Sequence, residues 1–150
     1  MVIMMTFERK QMTPIEIERL TPALILHTGR SAWSRDMRAK YIDSLIRGWD
    51  TPPIYLREVN ETMVVVDGSN RVRAITDFIH DGFPVRSMPI IGAGDHRPTK
   101  LDGLKFTDAM AREPAMMAAF AGDRIPVTVI RGAEDDELAE FIIRTDLRPF

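Results

Sequence analysis

Hydrophobic and polar positions change rhythm abruptly near the middle of the chain. Val64-Val65-Val66 is continuously apolar, as in a strand buried on both faces. Asp67-Gly68-Ser69-Asn70 is small or polar, and beyond Arg71 the residues Val72, Ile75 and Ile79 recur at three and four positions. The pattern predicts a strand, a tight turn and a helix from Ser69 or Asn70 to about His80, ended by Asp81-Gly82. Arg73, Asp77 and His80 fall on its solvent side. Such a junction presents backbone N–H groups beside charged side chains.

Upstream, residues 1–22 carry two signals. Thr13-Pro14 suits a helix start over residues 15–20, yet Ile15 and Ile17 alternate with Glu16 and Glu18 as in a strand. Residues 23–27 read as a short strand and Thr28-Gly29 as a turn. Ser34 caps a helix over residues 35–47 that Gly48 closes, with an apolar stripe of Met37, Tyr41, Ile42, Leu45 and Ile46. Pro52-Pro53 blocks its continuation, and two strands over Ile54–Val59 and residues 63–66 form a hairpin through Asn60-Glu61-Thr62.

Downstream, residues 83–91 read as an irregular strand interrupted by Pro84 and Pro89, and residues 92–102 as a loop with little to bury. Residues 107–120 are helical with a break at Pro114, and residues 125–130 form a strand. Asp135 or Asp136 caps a last helix over residues 137–145, striped by Leu138, Phe141 and Ile142. Helices interleaved with a small, partly antiparallel sheet make the fold class α+β rather than a regular βαβ series.

Composition narrows the chemistry. At 150 residues the chain fits one domain, residues 1–150, with neither internal repeat nor linker. The absence of Cys removes disulfides, thiolate nucleophiles and Cys-ligated metal centres, and it fits a cytoplasmic protein. A net charge of -2 supplies no global field for nucleic acid. The opening apolar run is interrupted by Glu8-Arg9-Lys10 too early for a signal peptide or a membrane span, so no membrane partner is expected.

The turn from Asp67 to Arg71 is the leading candidate site. A helix amino end attracts phosphate or carboxylate, and Arg71 adds a planar donor fork that suits phosphate oxygens. Asp67 stands where it can hold a metal ion, orient Arg71 or position water, while Gly68 and Ser69 allow close backbone approach. The plainer alternative is an ordinary Asp-Gly turn with a Ser-Asn cap and a solvated Arg71. Arg30 and Trp33 form a second candidate, a stacking clamp for a base, although Trp33 also fits as an anchor just before the Ser34 cap.

Other groups point to less. His27, His80 and His96 lack metal-ligand spacing, and neither GxxxxGK[ST] nor GxSxG is present. The acidic run Glu134-Asp135-Asp136-Glu137 suits a helix dipole. Arg35, Arg38, Lys40 and Arg47 read as the wet side of a helix, with a phosphate-facing surface as the alternative.

Taken in order, Arg30-Ser31-Ala32-Trp33, the helix exit Ile42-Asp43-Ser44-Leu45-Ile46-Arg47-Gly48, then Thr51-Pro52-Pro53-Ile54-Tyr55-Leu56 and Val66-Asp67-Gly68-Ser69-Asn70-Arg71 resemble the N-terminal domain of GmrSD-type modification-dependent restriction proteins. That domain belongs to the ParB N-terminal/sulfiredoxin-like superfamily. Its marks are an Asp-Gly-Gln-Gln-Arg motif after a strand and an upstream Gln-Arg…Trp segment. Leu104-Lys105-Phe106 and the closing strand and helix also look similar, so the resemblance spans nearly the whole chain.

The resemblance implies a ParB/sulfiredoxin-like small mixed sheet with surrounding helices. It implies a nucleotide held by Gly68, Ser69, Asn70 and Arg71 with Arg30 and Trp33. Asp67 and Arg71 become the catalytic pair if the nucleotide is hydrolysed, and Asp67 the metal ligand, with Mg2+ and a nucleoside triphosphate as cofactors. The setting implied is nucleic-acid metabolism or phage–host conflict. Alternatives on the same fold are a non-catalytic module binding DNA or a protein, and a nuclease.

Several departures bear on this. Ser69 and Asn70 replace two Gln, and His27-Thr28-Gly29 replaces the usual residues before Arg30. Without Cys, sulfinic acid reduction is ruled out. Near Thr145-Asp146-Leu147 the relatives continue into an Asn-Gly segment and a further helical region, so a minimal or C-terminally truncated version is expected.

Overall fold

The computed structural model describes residues 4–26, 32–87 and 100–145. A five-stranded mixed sheet runs in the order β1-β5-β3-β4-β2. Its strands are β1 (Thr6–Met12), β2 (Leu24–Ile25), β3 (Ile54–Val59), β4 (Thr62–Asp67) and β5 (Ile125–Arg131). Among the described residues six α-helices accompany it: α1 (Pro14–Leu20), α2 (Arg35–Ile46), α3 (Ser69–Ile79), α4 (Phe106–Arg112), α5 (Ala118–Ala121) and α6 (Asp135–Thr145). None is long and apolar enough to cross a membrane.

Alternation along the strands divides two cores. Ile54, Leu56, Val65, Val127 and Val129 point to one face, where Ile17, Ile42, Leu45, Ile75, Phe78 and Phe120 cover them. Val66 and Ile130 point to the other, where Leu138, Phe141 and Ile142 of α6 pack with Phe7 and Tyr55. The interior placement of β4 between β3 and β2 explains its apolar run: Val65 and Val66 are buried on opposite faces.

The hairpin between β3 and β4 turns on Asn60 and Glu61 alone, both left-handed at φ 49 and 66. That geometry matches the twist of paired strands, and it returns Thr62 to the ladder opposite Val59 rather than to the turn. Near the hairpin's open end the register slips: Leu56 faces Val65 but Tyr55 faces Asp67, leaving Val66 as an extra residue. A bulge of this kind re-aims the side chains that follow it. It stands immediately before the candidate turn.

Several expectations need correction. Residues 6–12 form β1, which the polar sequence Thr-Phe-Glu-Arg-Lys-Gln-Met conceals. It is an edge strand paired to β5 alone, so one ladder side and most side chains face water. The ambiguity over residues 15–20 resolves as helix α1, because Thr13 and Glu16 close a reciprocal capping box. Met37 leaves the α2 stripe, at 44% exposed.

Residues 83–87 form no strand. Val85 instead exchanges backbone bonds with Leu104 and Gly103, both 2.8 Å, which buries Phe83 and Val85. Leu101, placed in a loop with little to bury, is 3% exposed. The last helix already includes Asp135 and Asp136 in its first turn, so neither is its cap. The break at Pro114 falls between α4 and α5 as expected. The readings on His27, Thr28-Gly29, Arg30, residues 88–99 with His96, and the end beyond Thr145 lie outside the described residues.

Candidate phosphate-binding turn

β4 delivers Asp67 to the end of the sheet, Gly68 reverses the chain at φ +113, and α3 begins at Ser69. Val72 N–H donates to the Gly68 carbonyl at 2.9 Å, closing the first helical turn. The 11 residues of α3 therefore aim a positive dipole end at this corner.

Arg71 does not reach into solvent. The residue is 8% exposed, and its guanidinium folds back over the turn. One Nη2 stands 3.4 Å from Oδ2 of Asp67. A Cβ on residue 68 would meet Arg71 Nε and Nη2 at 3.3 Å and Ile54 Cγ1 at 3.1 Å, so only glycine leaves room for this packing. The plainer alternative of a solvated Arg71 is thus set aside. Arg71 is instead a buried cation whose Nε has no hydrogen-bond partner among the described residues.

Among the described residues four further buried atoms share that condition, Arg38 Nε, Arg57 Nε, the Tyr41 hydroxyl on α2 and Thr51 Oγ1 just before Pro52, and the two hydroxyls stand nearest the turn. Burial pushes the Tyr41 phenol up to about 12, while the Arg71 charge and the nearby Thr51 hydroxyl pull it down. Thr51 is close enough to act on that titration.

Trp33 joins the corner from the other side. Its backbone N–H donates to Asn70 Oδ1 at 3.0 Å, and its ring meets Tyr41 edge-on at 5.6 Å. The bond ties the entrance of α2 to the first turn of α3. The ring contact gives Trp33 an anchoring role against its own helix.

Asp67, Gly68, Ser69, Asn70, Arg71 and Trp33 therefore meet at one corner, and Arg30 lies outside the described residues. Sequence reasoning missed Tyr41 and Thr51 as site residues. The signals were a phenol in an otherwise apolar stripe and a hydroxyl held ahead of a Pro-Pro pair.

Several of the other charged groups have local partners. Arg38 pairs with Asp77 at 3.2 Å and lies over Phe83, and Arg47 pairs with Asp43 at 2.9 Å and lies over Trp49. His80 faces Glu18 at 2.8 Å, and Asp135 faces Arg57 at 2.8 Å. Among the described residues no three His, Asp or Glu side chains gather as a metal site. Asp67 faces the Arg71 guanidinium at 3.4 Å.

Compared with protein-family models, with curated proteins and with solved structures, the chain matches none.

Proposed function

We infer that the β4–α3 turn binds the phosphates of a nucleoside triphosphate. The observation that carries this is Arg71: a buried guanidinium at a helix amino end, paired with Asp67 through Nη2 and with an Nε that has no partner among the described residues. Arginine has five N–H donors and no acceptor, so what completes its bonding is an oxygen anion. The helix dipole and the close approach allowed at Gly68 favour the same partner. Magnesium, in this reading, arrives on the triphosphate rather than on a protein ligand set.

The reading agrees with the resemblance to ParB/sulfiredoxin-like domains, whose nucleotide loop corresponds to Asp67–Arg71. Within it, Asp67 holds Arg71 in place and offsets its charge until phosphate arrives. Hydrolysis of the nucleotide and action on DNA in phage–host conflict are extensions of the reading.

Titration calorimetry with the four magnesium ribonucleoside triphosphates tests it. Arg71→Ala should weaken the tightest ligand by about 10–100-fold, the worth of charge-assisted hydrogen bonds, with far-UV circular dichroism unchanged. Arg71→Lys should recover only part, since an ammonium lacks the planar fork. Equal affinity in the wild type and Arg71→Ala rejects the reading.

A second variant separates the roles of Asp67. As a holder of Arg71, its change to Asn strips a mostly buried cation of its counter-charge. Ligand-free stability should fall by about 3 kcal/mol and phosphate affinity should rise. As a catalytic group, the same change should abolish phosphate release measured on the bound nucleotide while affinity holds.

A further inference from the structure

Tyr41, Thr51 and Arg71 come from α2, from the segment before β3 and from α3, yet each buries one polar atom at the same corner without a partner among the described residues. Trp33 packs on Tyr41 and is bonded to Asn70, which fixes α2 against the turn. Buried polar groups in folded proteins are almost always satisfied. Three unsatisfied ones together mark a place for a group from outside the chain. Arginine Nε only donates, and a phenol and a threonine hydroxyl can each donate as well. The group that satisfies all three is an acceptor with several oxygens around one centre.

We propose that Tyr41 and Thr51 are ligand-contacting residues, donating their hydroxyl protons alongside Arg71 Nε to the non-bridging oxygens of a phosphate. The inference rests on the phosphate-binding reading of the turn. The phenol remains a neutral donor throughout the working pH range, since burial pushes it up to about 12. Asp67 offsets much of the Arg71 charge, so the site grips by number of hydrogen bonds more than by net charge. A tetrahedral phosphate offers oxygens in enough directions for three donors; a carboxylate offers two in one plane. Free phosphate and the terminal phosphate of a nucleotide share this chemistry.

The test uses the whole chain and the variants Tyr41→Phe, Thr51→Val and Arg71→Ala. Each is titrated with inorganic phosphate, pyrophosphate, acetate and the four magnesium ribonucleoside triphosphates, and each is melted without ligand. Binding of triphosphates above inorganic phosphate identifies a nucleotide as the source, and the reverse order identifies free phosphate. Tyr41→Phe and Thr51→Val should each weaken the tightest probe about five- to tenfold, the worth of one hydrogen bond. Ligand-free Tyr41→Phe should melt at or above the wild type, because the change removes a buried unsatisfied hydroxyl. Both observations together separate a ligand contact from a structural one.

Wild-type affinity in Tyr41→Phe and Thr51→Val, with loss in Arg71→Ala, overturns the inference and leaves the phosphate reading standing. A lower ligand-free melting point in both hydroxyl variants also overturns it, since the hydroxyls then bond within the protein. No binding of any phosphate probe by the wild type, or unchanged affinity in all three variants, overturns the inference and the reading together.

Discussion

Replacing Gly68 by alanine should cost the fold about 2 kcal/mol and disable the proposed phosphate site at once. Two effects add. The backbone stands at φ +113, well beyond the left-handed well that side chains tolerate, and such residues carry about 1–3 kcal/mol of strain. The new methyl also meets Ile54 Cγ1 at 3.1 Å, and Ile54 is 1% exposed with nowhere to retreat. Arg71, whose Nε and Nη2 would stand at 3.3 Å, is the neighbour that must yield. Displacing it breaks the approach to Asp67 and misplaces the guanidinium for phosphate.

Gly103 supplies the control, because it is also left-handed, at φ +84, but has nothing within 4 Å of the added methyl. Gly103→Ala should cost only the backbone term, about 1 kcal/mol or about 2–4 °C of melting temperature in a domain of this size. Gly68→Ala should lose about 4–8 °C and, by calorimetry, most of its phosphate affinity. Equal falls in the two variants would refute the packing of Arg71 on Gly68. A Gly68→Ala melting point within about 1 °C of wild type would refute the strain as well.

Val65→Asp should unfold the protein or bring it close: the site is 0% exposed in an interior strand of the sheet, and the loss of near-UV circular dichroism would show it. Tyr41 should make stability fall at high pH. Its phenol is raised from 10.0 to about 12 in the fold, so between these values the unfolded chain holds fewer protons and unfolding gains with rising pH. The contribution, fully present below pH 10 and lost towards pH 12, amounts to about 3 kcal/mol. Denaturant titrations from pH 9 to pH 12 should show this extra fall in wild type and not in Tyr41→Phe.

The β4–α3 junction was legible because its information is local. Val64–Val66 and the spacing of Val72 and Ile75 state a strand and a helix without help from the rest of the chain, and Asp67-Gly68 states the turn. Strand β1 was hidden for the opposite reason. Its identity depends on pairing with β5, and as an edge it keeps the polar side chains of a loop. Val85 and Leu101 likewise reveal their burial only through backbone bonds to residues distant in sequence. At the site, the turn residues were visible, but the burial of Arg71 was not. A guanidinium folded inward and one reaching outward are written with the same letter. Tyr41 and Thr51 joined the corner only when three separate elements closed on it.

The pairing of β1 with β5 also sets an order of assembly. Thr6 waits for Arg131, a partner over a hundred residues later in the chain. As the protein is made from its amino end, the hairpin of β3 and β4 and the α3 corner have their partners early, whereas β1 precedes the other strands and has no partner until β5 follows. A waiting strand is safest when water suits it. Glu8, Arg9, Lys10 and Gln11 supply that solubility, so the polarity that disguises β1 in the sequence is what protects the nascent chain from sticking to its neighbours.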